Sequence, residues 1–129
     1  MGEGVVTVME PQELAALLKS PDRERTLVLD VRDDDFVGGH IKGCVNLTSD
    51  HFDDDAEVDA IIKEHCVNKD RVVVHCMMSQ RRGPACAARL ADRVLASDLD
   101  PKPTVFVLTS GFQKFGQLYS HDPDLCEAC

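Results

Sequence analysis

Arg71-Val-Val-Val-His75-Cys76-Met-Met-Ser79-Gln-Arg-Arg82-Gly83-Pro84-Ala-Cys86 is the stretch whose reading decides the fold of this chain. Val72, Val73 and Val74 form a β-branched run suited to a buried strand, and the alanine-rich segment from Pro84 to Leu95 reads as a helix. Between them lies a seven-residue loop, Cys76 to Arg82. Gly83 and Pro84 fit its exit, because glycine permits unusual backbone angles and proline suits the first turn of a helix. A thiol at the C-terminal end of a strand then faces a helix N-terminus. Unpaired N–H groups and the positive end of the helix dipole gather there, which stabilises a thiolate and accommodates a tetrahedral oxyanion. Arg82 adds a planar fork of donors matched to such an anion. The spacing from cysteine to arginine is weak evidence alone. The preceding β run, the Ser79 hydroxyl, the absence of Asp and Glu from the loop and the Gly-Pro helix start all agree with an anion-binding nucleophile site.

A length of 129 residues suits one domain spanning 1–129, large enough to bury a core without staples. The composition, 43% hydrophobic and 29% charged, is that of a folded chain. A net charge of −9 argues against nucleic acid and anionic membranes as partners, since affinity for phosphate backbones comes mostly from Lys and Arg. Much of that charge is local, in Asp33-Asp34-Asp35 and in Asp50 with Asp53-Asp54-Asp55, which read as solvated loops and helix starts. Arg81 and Arg82 supply a focused positive pocket for an oxyanion. No run approaches a membrane span, and Met-Gly-Glu-Gly lacks the basic start and apolar core of a signal peptide, so a cytoplasmic location is expected. In a reducing compartment the six cysteines serve catalysis or metal binding sooner than disulfides.

Taken in order, Val5 to Met9 predicts a first strand and Glu13 to Lys19 an amphipathic helix with Leu14, Leu17 and Leu18 on one face. Thr26 to Val31 is a nearly continuous apolar run, as in a parallel strand covered on both faces. Gly38, Gly39 and Gly43 imply turns around a short helical piece, followed by a strand at Cys44 to Leu47. Asp30, Arg32 and His40 bracket that piece, and His40 reads as a structural hydrogen bond between two loops. Phe52 to Cys66 predicts a helix with Val58, Ile61 and Ile62 inward. After the central stretch come a strand at Thr104 to Leu108 and a short helix from Gly111, with residues 120–129 as a cysteine-containing tail that has no apolar period. Strands alternating with helices give an α/β domain with a mainly parallel central sheet, whose ligands bind beyond the C-terminal ends of the strands.

Asp30-Val-Arg32, Gly39-His40-Ile41-Lys42-Gly43, Val45-Asn46-Leu47, His75-Cys76 through Arg82-Gly83-Pro84, and Gly111-Phe112 occur in an order that resembles the rhodanese-like superfamily. More narrowly the chain resembles the branch of Cdc25-type phosphatases and Acr2-type arsenate reductases. The resemblance covers roughly Val5 to Tyr119 and implies a three-layer domain with helices on both faces of the sheet. It implies Cys76 as nucleophile, Arg82 as clamp, and the backbone amides of Met77, Met78, Ser79, Gln80, Arg81 and Arg82 as the oxyanion cradle. A seven-residue loop is the length of the phosphatases and arsenate reductases of this fold, whereas sulfurtransferases carry six. Cdc25 phosphatases place glutamates at the positions of Met77 and Arg81 and a second cysteine at the position of Val31, and none of the three is present.

A phosphate monoester has a poor leaving group and wants a positioned acid, which the loop lacks; arsenate loses water readily, so the missing carboxylate matters less. The expectation is therefore an arsenate reductase, extending to antimonate, that forms a thiol–arsenate adduct on Cys76. The resemblance implies glutathione as co-substrate and glutaredoxin as partner. A Cdc25-type phosphatase is the alternative, followed by a thiosulfate sulfurtransferase and a non-catalytic binding module of the same fold. Cys126-x-x-Cys129 has the spacing of half a structural zinc site, for which His121, His65 and Cys66 are the candidate completing ligands. The competing expectation for that tail is a frayed end with two exposed thiols. Cys86 reads as a core residue, with a resolving thiol as the alternative.

Overall fold

The computed structural model describes residues 5–32, 39–77 and 82–127. Five strands, β1 (Val6–Met9), β2 (Thr26–Asp30), β4 (Val45–Asn46), β5 (Arg71–His75) and β6 (Thr104–Leu108), form one sheet in the order β1-β6-β5-β2-β4. Every pairing in it is parallel. The central strands β2 and β5 are buried on both faces, which their unbroken apolar runs require.

Side chains alternate across the sheet, and so does the core. Leu27, Leu29, Val72, Val74 and Val105 pack with α2 (Asp55–His65) and α3 (Arg82–Ala96) on one face. Val28, Val73 and Leu108 pack with α1 (Pro11–Leu18) and α4 (Gly111–Tyr119) on the other. This is the α/β domain with a parallel central sheet expected from the strand and helix pattern, in the three layers that the resemblance implied.

Local boundaries differ from the sequence reading for identifiable reasons. The helix expected from Phe52 splits into a 3-10 turn, Ser49–Phe52, and α2, because the Asp54 side chain accepts from the Ala56 N–H at 3.1 Å and fixes the helix start there. α3 begins at Arg82, two residues before Pro84; proline is tolerated in a first turn, whose N–H groups have no intrahelical acceptor anyway. A 3-10 turn over Pro21–Arg25, capped by Ser20, occupies a segment for which no element was expected. The short helical piece expected just before Gly39 lies outside the described residues.

The tail is the largest correction. Rather than a frayed end, β7 (Cys126–Glu127) pairs antiparallel with β3 (His40–Ile41), and Leu125 and Cys126 are buried in the core on the α1/α4 face. His40 Nε2 meets Glu127 Oε1 at 3.1 Å, so the structural role expected for His40 is observed, with the tail as its partner. Arg23 donates to the carbonyls of Leu18 and Asp124 at 2.9 and 3.2 Å and further anchors the chain's end. Non-local pairing holds this segment, which its own sequence pattern does not reveal. Among the described residues no helix is long and apolar enough to cross a membrane.

Candidate active site

Cys76 follows the last residue of β5 and sits at the C-terminal edge of the sheet, only 3% exposed. The Gly83 N–H, an orphan donor of the first turn of α3, donates to Cys76 Sγ at 3.3 Å. No acidic residue lies in that turn to oppose an anion. Arg82 opens the same turn and is half-buried. The structure thus brings the expected nucleophile and clamp to one helix N-terminus. Gly83, a donor to that sulfur among the described residues, lies one residue past the expected cradle. Met77 is half-buried and lines a cleft of about 360 Å³ with Phe112 and Gln113. Met78, Ser79, Gln80 and Arg81 lie outside the described residues.

Behind the loop, α4 does for two carbonyls what α3 does for the sulfur. Phe112 N–H donates to the Cys76 carbonyl at 2.9 Å and Gln113 N–H to the Met77 carbonyl at 2.8 Å. A peptide unit is planar and trans, so turning the Cys76 carbonyl toward α4 aims the Met77 N–H the opposite way. This close approach is possible because residue 111 is glycine at φ +57. Sequence reasoning gave Gly111 and Phe112 no mechanical role; the signal available was a glycine at the first position of a helix, directly after Ser110.

Beneath α4 lies a buried ion pair. Arg32 Nη2 donates to Asp30 Oδ2 at 2.7 Å and to the Gly39 carbonyl at 2.9 Å, and the guanidinium lies 4.5 Å from the centroid of the Phe112 ring. Asn46 holds the adjoining backbone, donating from Nδ2 to the carbonyls of Asp30 and Arg32. His75 is fully buried between this pair and the loop, with its ring 6.5 Å from that of Phe112. Its Nδ1 donates to the Cys76 carbonyl at 3.1 Å, while Nε2 lies 3.8 Å from Asp30 Oδ2. Burial pushes its pKa below the ordinary histidine value, outweighing the Asp30 carboxylate, so the ring is neutral.

The remaining cysteines separate clearly. Val31, at the position of the Cdc25 second cysteine, is fully buried in the same apolar cluster as Cys76. Cys86 is buried in that cluster too, and burial together with the Cys76 charge pushes its thiol up to about 12. Cys66 packs on the α2/α3 face and Cys126 on the α1/α4 face, so the sheet stands between them. These two therefore do not belong to one metal site, which removes Cys66 from the ligand set expected for zinc. His65 ends the same helix that Cys66 follows, His121 is exposed, and Cys129 lies outside the described residues. Among the described residues no three His, Cys, Asp or Glu side chains are grouped to hold a metal ion.

The model of the rhodanese-like domain matches residues 10–118. The chain belongs to the rhodanese-like family. Within it, the chain is 30% identical over 128 residues to the CDC25-like phosphatase YCH1 of Saccharomyces cerevisiae, covering 91% of this chain and 86% of that one. It is 33% identical over 114 residues to arsenate reductase 2.2 of Oryza sativa subsp. japonica, covering 87% and 82%. Among solved rhodanese-like structures, the As-Sb reductase of Leishmania major superimposes with a TM-score of 0.75 at 29% identity, over 96% of this chain and 86% of that one. Relatives named as phosphatase and as arsenate reductase are thus both similar over most of their length, and both are enzymes.

Proposed function

We propose that this protein is an arsenate reductase, acting also on antimonate. The observation that carries the reading is a seven-residue loop from Cys76 to Arg82 that contains no carboxylate and ends on a helix whose Gly83 N–H donates to Cys76 Sγ. Arsenate fills the cradle, its negative oxygens facing loop amides and the Arg82 guanidinium. Cys76 thiolate attacks arsenic, a protonated oxygen leaves as water, and the product is a thiol–arsenate adduct. No leaving-group acid is needed beyond a solvent proton. A thiol then attacks Cys76 Sγ: the S–S bond forms, the S–As bond breaks with its electron pair going to arsenic, and arsenite departs. Two thiols are oxidised as As(V) becomes As(III). Glutathione through glutaredoxin is the source of the two electrons.

A Cdc25-type phosphatase is the second reading, favoured by carboxylates near Arg82: Asp50 and Asp53 line a cleft of about 380 Å³ with it. Asp50, however, accepts from the Thr48 hydroxyl, which holds its pKa below the ordinary carboxylate value and keeps it ionised rather than ready to donate a proton. Incubation with arsenate, glutathione and glutaredoxin should yield arsenite, with none from Cys76→Ser. Wild type no faster than Cys76→Ser refutes the reductase. Hydrolysis of an activated aryl phosphate should be slow, and efficient turnover of a phosphothreonine peptide would reverse the ranking.

A further inference from the structure

The reductase reading leaves open which thiol first meets the adduct. We propose that it is Cys86, which attacks Cys76 Sγ and leaves a Cys76–Cys86 disulfide as arsenite departs. This step rests on the arsenate reading and adds a catalytic residue to it.

The placement follows from α3. Gly83, Cys86, Ala87 and Leu90 lie on its buried face, and helical side chains lean back over the preceding turn. Cys86 stands one turn after Gly83, whose N–H donates to Cys76 Sγ, on the same buried face of the helix that carries this donor. Cys76 and Cys86 share one buried cluster and feel each other electrostatically. The other described cysteines are less suited. Cys44 and Cys126 pack with the core of the opposite face. Cys66 follows α2 and precedes β5, whose five residues separate it from Cys76 by about 16 Å.

Chemistry fits the order of events. At rest Cys86 is a neutral thiol, held so by burial and by the charge on Cys76. Adduct formation converts Cys76 from a thiolate to a sulfur bonded to arsenic, which makes that sulfur open to attack by a second thiol and moves the negative charge onto the arsenic oxygens. The step balances: a singly charged adduct plus the Cys86 thiol gives the disulfide plus singly charged arsenite, the thiol proton ending on an arsenite oxygen. Regeneration uses the glutathione and glutaredoxin already named. Cys86 lines the 380 Å³ cleft beside Arg82, so an external thiol entering there attacks Cys86 Sγ and releases Cys76.

A single-turnover measurement decides the matter. Fully reduced protein, freed of small thiols under anaerobic conditions, is mixed with excess arsenate; arsenite is quantified and the protein is alkylated and peptide-mapped. The expected result is about one arsenite per chain, loss of two free thiols, and a peptide joined through Cys76 and Cys86. Cys86→Ser and Cys86→Ala should each give at least tenfold less arsenite under these conditions, while Cys44→Ser matches wild type. Arsenite that appears only after glutathione is added, with no Cys76–Cys86 peptide, overturns the proposal and leaves the reductase intact. No arsenite from wild type with or without glutathione and glutaredoxin overturns both.

Discussion

A Cβ at position 111 would lie 2.3 Å from the Cys76 carbonyl oxygen and 2.6 Å from that of Met77. Both obstacles are backbone, held by the N–H groups of Phe112 and Gln113, so neither can move without shifting the start of the nucleophile loop. Gly111→Ala should therefore cost about 2–4 kcal/mol, combining overpacking with a left-handed φ for a residue that has a Cβ. Urea unfolding reads that loss, and arsenate turnover should fall more than stability alone explains. At Arg82 geometry matters more than charge. Arg82→Lys keeps the cation but loses the planar fork, so kcat/KM should drop about 5- to 150-fold, equivalent to roughly 1–3 kcal/mol. Unchanged kcat/KM would move the clamp to Arg81.

Among the elements, ion pairs differ by burial far more than by distance. Arg32 is only 1% exposed and Asp30 fully buried, whereas Arg93 and Asp59 meet at a similar 2.7 Å near the surface. Arg32→Ala strands a buried carboxylate and should destabilise by about 3–5 kcal/mol. Arg93→Ala should cost no more than about 1 kcal/mol. Guanidinium titrations of the two variants test the contrast, and equal losses would refute it. The β3–β7 pair makes a separate case. Leu125 is almost wholly buried against the α1/α4 core, so Leu125→Ala should cost about 2–4 kcal/mol. A tail that merely frayed would show almost no effect in the same titration.

For the whole molecule, buried titratable groups set the pH range of stability. His75 has a folded pKa below its ordinary value of 6.5, so the unfolded chain takes up that proton first, and stability present above pH 6.5 is lost as pH falls below it. Cys66, Cys86 and Cys126 have folded values raised from 9.0 to about 11, 12 and 11 by burial. The unfolded chain loses those protons first, so stability present below pH 9 declines as pH rises toward 11–12. Denaturation midpoints should therefore form a plateau between about pH 6.5 and 9. Cys86→Ala should flatten the alkaline limb, and an unchanged slope in that variant would contradict the assignment.

The sequence by itself determined the parallel sheet, the placement of Cys76 and Arg82, and the structural role of His40. These follow from local signals: β-branched runs, a helical apolar period, and the glycine and proline at a loop exit. Asp30 and Arg32 were visible as polar residues, but not as a fully buried pair beneath Phe112, because that depends on which elements stack over them. Only the tertiary structure decided the fate of the tail. Residues 120–129 carry no periodic pattern, and β7 exists because β3, 85 residues earlier in the register of Ile41 with Cys126, offers it an edge. The same packing separates Cys66 from Cys126 across the sheet and puts Cys86 in one buried cluster with Cys76. Spacing along a chain measures contour length, whereas a shared site requires a shared face, and faces are assigned only when the layers close.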